Sequence, residues 1–133
     1  MRRIFITATD TDAGKTYVTA SLLRALKKTG RDVIGLKPIA SGSEGAAISS
    51  DVAALLKAQD LPDSAAPSIN LYSFNAALAP SQAAAKEDQH IDPQTLLAWC
   101  EEQSKGHDIS LIEGVGGLMV PLAENYLVCD WLD

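Results

Sequence analysis

Three short segments of this 133-residue chain carry residue types suited to holding and transferring anionic oxygens. The first is Ala8-Thr9-Asp10-Thr11-Asp12-Ala13-Gly14-Lys15-Thr16. A phosphate cradle needs backbone amides aimed at oxygen, a glycine that brings the main chain close, an ammonium for terminal oxygens and a hydroxyl for Mg²⁺. Gly14, Lys15 and Thr16 meet that need in order. The strict spacing G-x-x-x-x-G-K-[ST] is not met, because Thr9 stands five residues before Gly14 and Ala8 one place earlier. The plain alternative is a helix start with an exposed lysine. The triplet lies between an apolar run and an amphipathic segment, and that context favours phosphate binding.

The second segment is Lys37-Pro38-Ile39-Ala40-Ser41-Gly42-Ser43 and the third is Glu113-Gly114-Val115-Gly116-Gly117. Each directly follows an apolar run. In open α/β sheets ligands bind outside the carboxyl ends of strands, so Lys37 and Glu113 are expected beside the phosphates. Lys37 can neutralise a transferring phosphoryl group, and Glu113 can hold Mg²⁺ directly or through water. The alternatives are a solvated lysine after a strand and a Glu-Gly turn. Asp51, at an expected helix start, suits either a metal or the helix dipole.

These residues must be positioned by elements, and the hydrophobic pattern says which. Residues 4–7, 33–36 and 109–112 are short, β-branched apolar runs, as expected of buried parallel strands. Over residues 16–29, Val18, Leu22 and Leu26 recur every four positions with Leu23 beside them, predicting a helix that Gly30 ends. Strand, helix and strand in this order make a right-handed βαβ unit. Further helices are expected from Ser49-Ser50-Asp51 through Val52, Leu55 and Leu56, from Pro80-Ser81, and from Pro93 through Leu96, Leu97 and Trp99. Residues 61–67 read as a proline-bearing loop. The pattern stops inside a helix after the third strand, which predicts either a fragment or a surface covered by another chain.

Bulk properties narrow the class. With 47% hydrophobic and 21% charged residues the chain is expected to fold as one domain over residues 1–133. A net charge of −6 leaves no basic excess for a nucleic-acid backbone or an anionic membrane. Cys100 and Cys129 lack metal-ligand spacing and read as reduced thiols in or near a core; His90 and His107 read as surface residues. No leader-like segment and no membrane-length apolar stretch is present, so the expected location is cytoplasmic.

Taken together the segments resemble dethiobiotin synthetase. The resemblance rests on residues 7–16, 35–42, Ser50-Asp51, Ala79-Pro80, and 113–117 through Pro121-Leu122, in matching order over essentially the whole chain. It implies a three-layer α/β P-loop fold with a mainly parallel sheet, cut short after the third motif strand. It also implies a ligase of biotin biosynthesis: 7,8-diaminopelargonate, CO₂ and MgATP give dethiobiotin, ADP and phosphate. An amine captures CO₂ as a carbamate, ATP phosphorylates it, and the second amine closes the ring. Carried over by position, Asp12, Ala13, Gly14, Lys15, Thr16 and Tyr17 resemble the ATP phosphate loop. Thr16, Asp51 and Glu113 resemble the Mg²⁺ set, and Lys37 with Lys15 the catalytic lysines. Ser41 resembles a contact to the diamine, while Gly114, Val115, Gly116 and Gly117 resemble a cleft lining of backbone amides. Ala8 stands where the family has its first glycine, which is tolerable only if φ is negative there. The resemblance further implies a homodimer and longer chains, whose remainder supplies the adenine pocket and a segment crossing the dimer to the substrate's carboxylate tail. The alternatives are a related P-loop amidating synthase, a partition-type ATPase switch, or an inactive nucleotide-binding fragment.

Overall fold

A computed structural model describes residues 2–8, 14–117, 119, 121–123 and 125–132. The three apolar runs form one parallel sheet: β1 (Arg2–Ile6), β2 (Val33–Leu36) and, between them, β5 (Ile109–Glu113), in the order β1-β5-β2. Register aligns Ile4 with Leu111 and Gly35 with Leu111, so these three share one face, while Phe5, Ile112 and Leu36 share the other.

Each face is covered. Helix α1 (Lys15–Lys28) lies on the Leu111 face, where Leu23 Cδ1 comes within 2.5 Å of the point a Cβ on Gly35 would occupy. Only glycine allows that approach. Helix α5 (Pro93–Ser104) and the short α6 (Val128–Trp131) serve the opposite face. Arg3 meets Glu101 of α5 at 3.9 Å, and the Phe5 ring packs edge-on against Trp131 with centroids 4.9 Å apart. The result is the expected three-layer α/β arrangement, with the core between sheet and helices.

Between α1 and α5 the chain departs from the main sheet. Pro38 breaks the strand run, and β3 (Ile39–Ser41) instead pairs in parallel with β4 (Tyr72–Phe74). Helix α2 (Ser50–Ala58) packs beside α1 and is capped by the Ser49 hydroxyl, which accepts from the Val52 amide. A 3₁₀ turn (Asp63–Ala65) and α3 (Ala66–Ile69) follow, and α4 (Pro80–Lys86) packs against β3, β4 and β6 (Pro121–Ala123). β6 forms an antiparallel hairpin with β7 (Tyr126–Leu127). Among the described residues no helix is long and apolar enough to cross a membrane.

Four expectations need correction. β5 is buried at every position, but three of the five residues of β1 are exposed, because β1 is an edge of the described sheet. The helical stripe is rotated: α1 buries Thr19, Ala20 and Leu23, while Val18 and Leu22 are 46% and 38% exposed. Small residues let α1 lie close to the sheet, leaving Val18 and Leu22 on its shoulder. Residues 61–67 are partly helical, since Pro67 sits in the first turn of α3 where no amide proton is needed. A hairpin, not a direct connection, separates β5 from α6. Cys100 is buried and Cys129 half-buried, both free; His90 is exposed, and His107 is half-buried with Nδ1 2.7 Å from Asp32.

Candidate active site

The carboxyl ends of β1, β2 and β5 converge on one edge, and each delivers a different chemistry there. After β1, Gly14 adopts φ +88° and starts α1, a left-handed conformation that a side chain disfavours. The buried Lys15 and the Thr16 hydroxyl follow on the first turn. Ala8 is not among the positive-φ non-glycine residues, which are Glu44, Asp60, Asp88 and Asn125 in the described chain, so its methyl group is accommodated.

After β2 the chain turns at Lys37-Pro38. The Lys37 amide donates to the Ile69 carbonyl at 2.8 Å, and its carbonyl accepts from the Asn70 side-chain amide at 2.8 Å. The same Asn70 nitrogen donates to Tyr72 O at 3.0 Å, tying the turn to β4. Held by these bonds, Lys37 reaches back over the end of β5. Its ammonium lies 2.6 Å from Glu113 Oε2, 3.0 Å from the Gly114 carbonyl and 3.2 Å from Asp51 Oδ2. The Thr16 hydroxyl donates to the same Glu113 Oε2 at 2.7 Å.

Glu113 is fully buried, and its second oxygen, Oε1, has no hydrogen-bond partner among the described residues. A carboxylate oxygen without a donor in the interior is costly unless a cation or water completes it. Thr16, Asp51 and Glu113 thus fit a Mg²⁺ ion: two carboxylates and one hydroxyl, all hard oxygens, leaving the remaining positions to water and phosphate as Mg²⁺ prefers. Among the described residues there is no group of three or more His, Cys, Asp or Glu side chains, so a protein-only metal cage is not what this edge offers.

A cleft of about 690 Å³ opens in front of these groups. Its polar and glycine lining includes Gly14, Lys15, Thr16, Lys37, Ser50 and Asp51. Its apolar lining includes Ala77, Leu78, Ala79, Pro80 and Val115, and Tyr17, Ser41, Gly42 and Gly116 complete it. The structure therefore brings together Gly14, Lys15, Thr16, Tyr17, Lys37, Ser41, Asp51, Val115 and Gly116, with Glu113 directly behind Lys37. Asp12 and Ala13 lie outside the described residues.

Two expected lining residues are placed otherwise. The Gly114 amide donates to the Ile6 carbonyl at 2.9 Å, continuing the β1–β5 ladder, so it is not available to a ligand. A Cβ there would sit 3.0 Å from the Phe5 ring, which identifies close packing as what this glycine provides. Gly117 is buried and does not line the cleft.

The chain's relatives can now be set against this geometry. The family described as "AAA domain" matches residues 2–133. An ATP-dependent dethiobiotin synthetase BioD from Methylobacterium nodulans is 44% identical over 142 residues, covering 99% of this chain and 63% of that protein. Proteins of the same name from Aromatoleum aromaticum and Acidiphilium cryptum are 39% and 38% identical, covering 97% and 99% of this chain. The chain spans 58% and 61% of their respective lengths. With the family match running from the first strand to the last residue, the chain belongs to this AAA domain family.

Proposed function

We propose that this chain is the phosphate-binding and catalytic portion of a dethiobiotin synthetase, which uses ATP to carboxylate 7,8-diaminopelargonate and close its ureido ring. The observation that carries the reading is the convergence of Lys15, Thr16 and Lys37 on one cleft, with Glu113 2.6 Å behind Lys37. The names of the relatives, all dethiobiotin synthetases, support it.

The chemistry is anionic throughout: a carbamate formed from amine and CO₂, its phosphorylation by ATP, and expulsion of phosphate by the second amine. Catalysis then rests on orientation and charge neutralisation. In this reading the amides at the start of α1 and the Lys15 ammonium hold the β- and γ-phosphates. Lys37 lines the same cleft, where its charge offsets that of the carbamate and phosphoryl oxygens. Ser41, Ala77, Ala79 and Pro80, which line that cleft too, receive the diamine. Thr16, Asp51 and Glu113 would hold Mg²⁺, which when bound neutralises phosphate charge. The reading brings with it a cytoplasmic homodimer, as such enzymes are expected to be.

The test is phosphate release from MgATP with bicarbonate, with and without 7,8-diaminopelargonate. Release that depends on the diamine is expected. Hydrolysis indifferent to it would point instead to a nucleotide switch. Lys37→Gln is expected to lower turnover at least about 100-fold while ATP affinity changes little, because its charge matters most as the transition state forms. Unaltered turnover removes Lys37 from the mechanism.

A further inference from the structure

The Lys37 ammonium has three N–H donors and no more. In this structure two are taken, by Glu113 Oε2 and by the Gly114 carbonyl, and Asp51 Oδ2 adds an ion pair at 3.2 Å. A lysine so engaged has its charge balanced by two carboxylates before any anionic substrate arrives. The two carboxylates that hold it are also the two that fit a divalent cation, and the third oxygen of that set, Thr16 Oγ1, points its proton at the same Glu113 oxygen. One small volume therefore contains a single positive charge surrounded by the oxygens a metal would use, with Lys37 3% exposed and Glu113 fully buried.

From this we infer that Lys37 is the resident counter-cation of the Thr16–Asp51–Glu113 oxygens, and that a divalent cation arriving there displaces its ammonium into the cleft. The inference rests on reading these three residues as the metal set. Its physical basis is exchange of like charges. Without a resident cation Glu113 would be a buried, uncompensated carboxylate, which the fold tolerates poorly. Lys37 and a divalent ion cannot both keep these oxygens at contact distance, because their mutual repulsion at a few ångströms in a poorly solvated site is large. Asp51 is the partner that yields readily, being 47% exposed, whereas the Gly114 carbonyl can stay bonded. The consequence is an order of events: the charge of Lys37 stays neutralised by Glu113 and Asp51 until the metal replaces it there.

The experiment uses Mn²⁺ alone, without nucleotide or diamine, so that its outcome is independent of whether the chain is a dethiobiotin synthetase. Free Mn²⁺ is followed by electron paramagnetic resonance in titrations of the unmodified chain, Lys37→Met and Lys37→Arg. Removing the competing charge in Lys37→Met is expected to tighten Mn²⁺ binding by about tenfold or more, while Lys37→Arg stays near the unmodified value. Adding Glu113→Gln to Lys37→Met is expected to abolish the gain. Equal affinity in Lys37→Met and the unmodified chain overturns the inference. Should Lys37→Met not fold, the unmodified chain still decides the matter: the ¹³Cε resonance of Lys37 is expected to move toward that of a solvent-exposed lysine as Mg²⁺ saturates. A resonance that stays put at saturation overturns the exchange.

Discussion

Cys100 shows how one side chain records its surroundings. It lies on α5 beside Trp131, and burial pushes its thiol up to about 12 from the ordinary value near 9. The sign follows from linkage: the folded chain keeps this proton where the unfolded chain releases it, so stability is lost as pH rises through the unfolded value near 9 and onward to about 12. Urea midpoints measured from pH 8 to 11 should fall less for Cys100→Ala than for the unmodified chain, by up to about 3 kcal/mol in unfolding free energy. Parallel curves would show that the thiol titrates normally. At this same scale the charged residues of the cleft were legible in the sequence, because Gly14-Lys15-Thr16, Lys37 and Glu113 are residue types that follow strands for a chemical reason. Asn70 and Gln59 were not. Each acts through a side-chain amide bonded to distant main chain, and no spacing or periodicity marks an amide for that task. Gly114 is opaque for a related reason: Phe5, far away in sequence, packs where a side chain on that glycine would lie.

Among elements, the junction of α2 with β2 governs where Asp51 meets Lys37. β2 has β5 on one side only, and on the other its main chain is finished by a side chain. The Gly35 amide donates to Gln59 Oε1 at 2.9 Å, and Gln59 Nε2 donates to the Gly35 carbonyl at 3.0 Å. The amide thus imitates one residue of an absent strand, while Nε2 also donates to Leu55 O at 3.1 Å. Gln59→Leu leaves the buried amide and carbonyl of Gly35 without partners, and the expected loss is about 2–4 kcal/mol of unfolding free energy. Chemical denaturation measures it; a loss below about 0.5 kcal/mol would mean water replaces the amide fully. The longer elements could be read in advance because they repeat. α1 shows helical spacing over 14 residues, and β5 is an unbroken apolar run ending at Glu113. β3, β4, β6 and β7 have three residues or fewer, too few to display alternation, and they exist through tertiary pairing rather than local preference. The rotated face of α1 has the same origin: Thr19 and Ala20 are buried for being small, a property that a search for large apolar residues passes over.

For the molecule as a whole, the site is where otherwise separate parts of the chain are joined. Lys15 and Thr16 head α1, Lys37 leaves β2, Asp51 opens α2 and Glu113 ends β5. A nucleotide bridging them would bind only the folded chain, because in the unfolded one these residues are scattered over about a hundred positions. Binding must then raise stability by mass action, at about 2.7 kcal/mol for ligand at one hundred times its dissociation constant. In a domain of this size that corresponds to a rise in Tm on the order of 10 °C. Differential scanning fluorimetry with increasing MgATP should show Tm climbing without a plateau over the accessible range, about 1.4 kcal/mol for each further tenfold in ligand. Lys15→Ala, which removes the charge expected on the terminal phosphates, should flatten the curve measured from its own ligand-free Tm. The net charge of −6 opposes an anionic ligand at long range, so the attraction must be local. That makes the comparison discriminating. If binding were diffuse, removing one of the chain's 11 lysines and arginines would hardly alter the slope. If the cradle at the head of α1 holds the phosphates, that single change is enough to erase it.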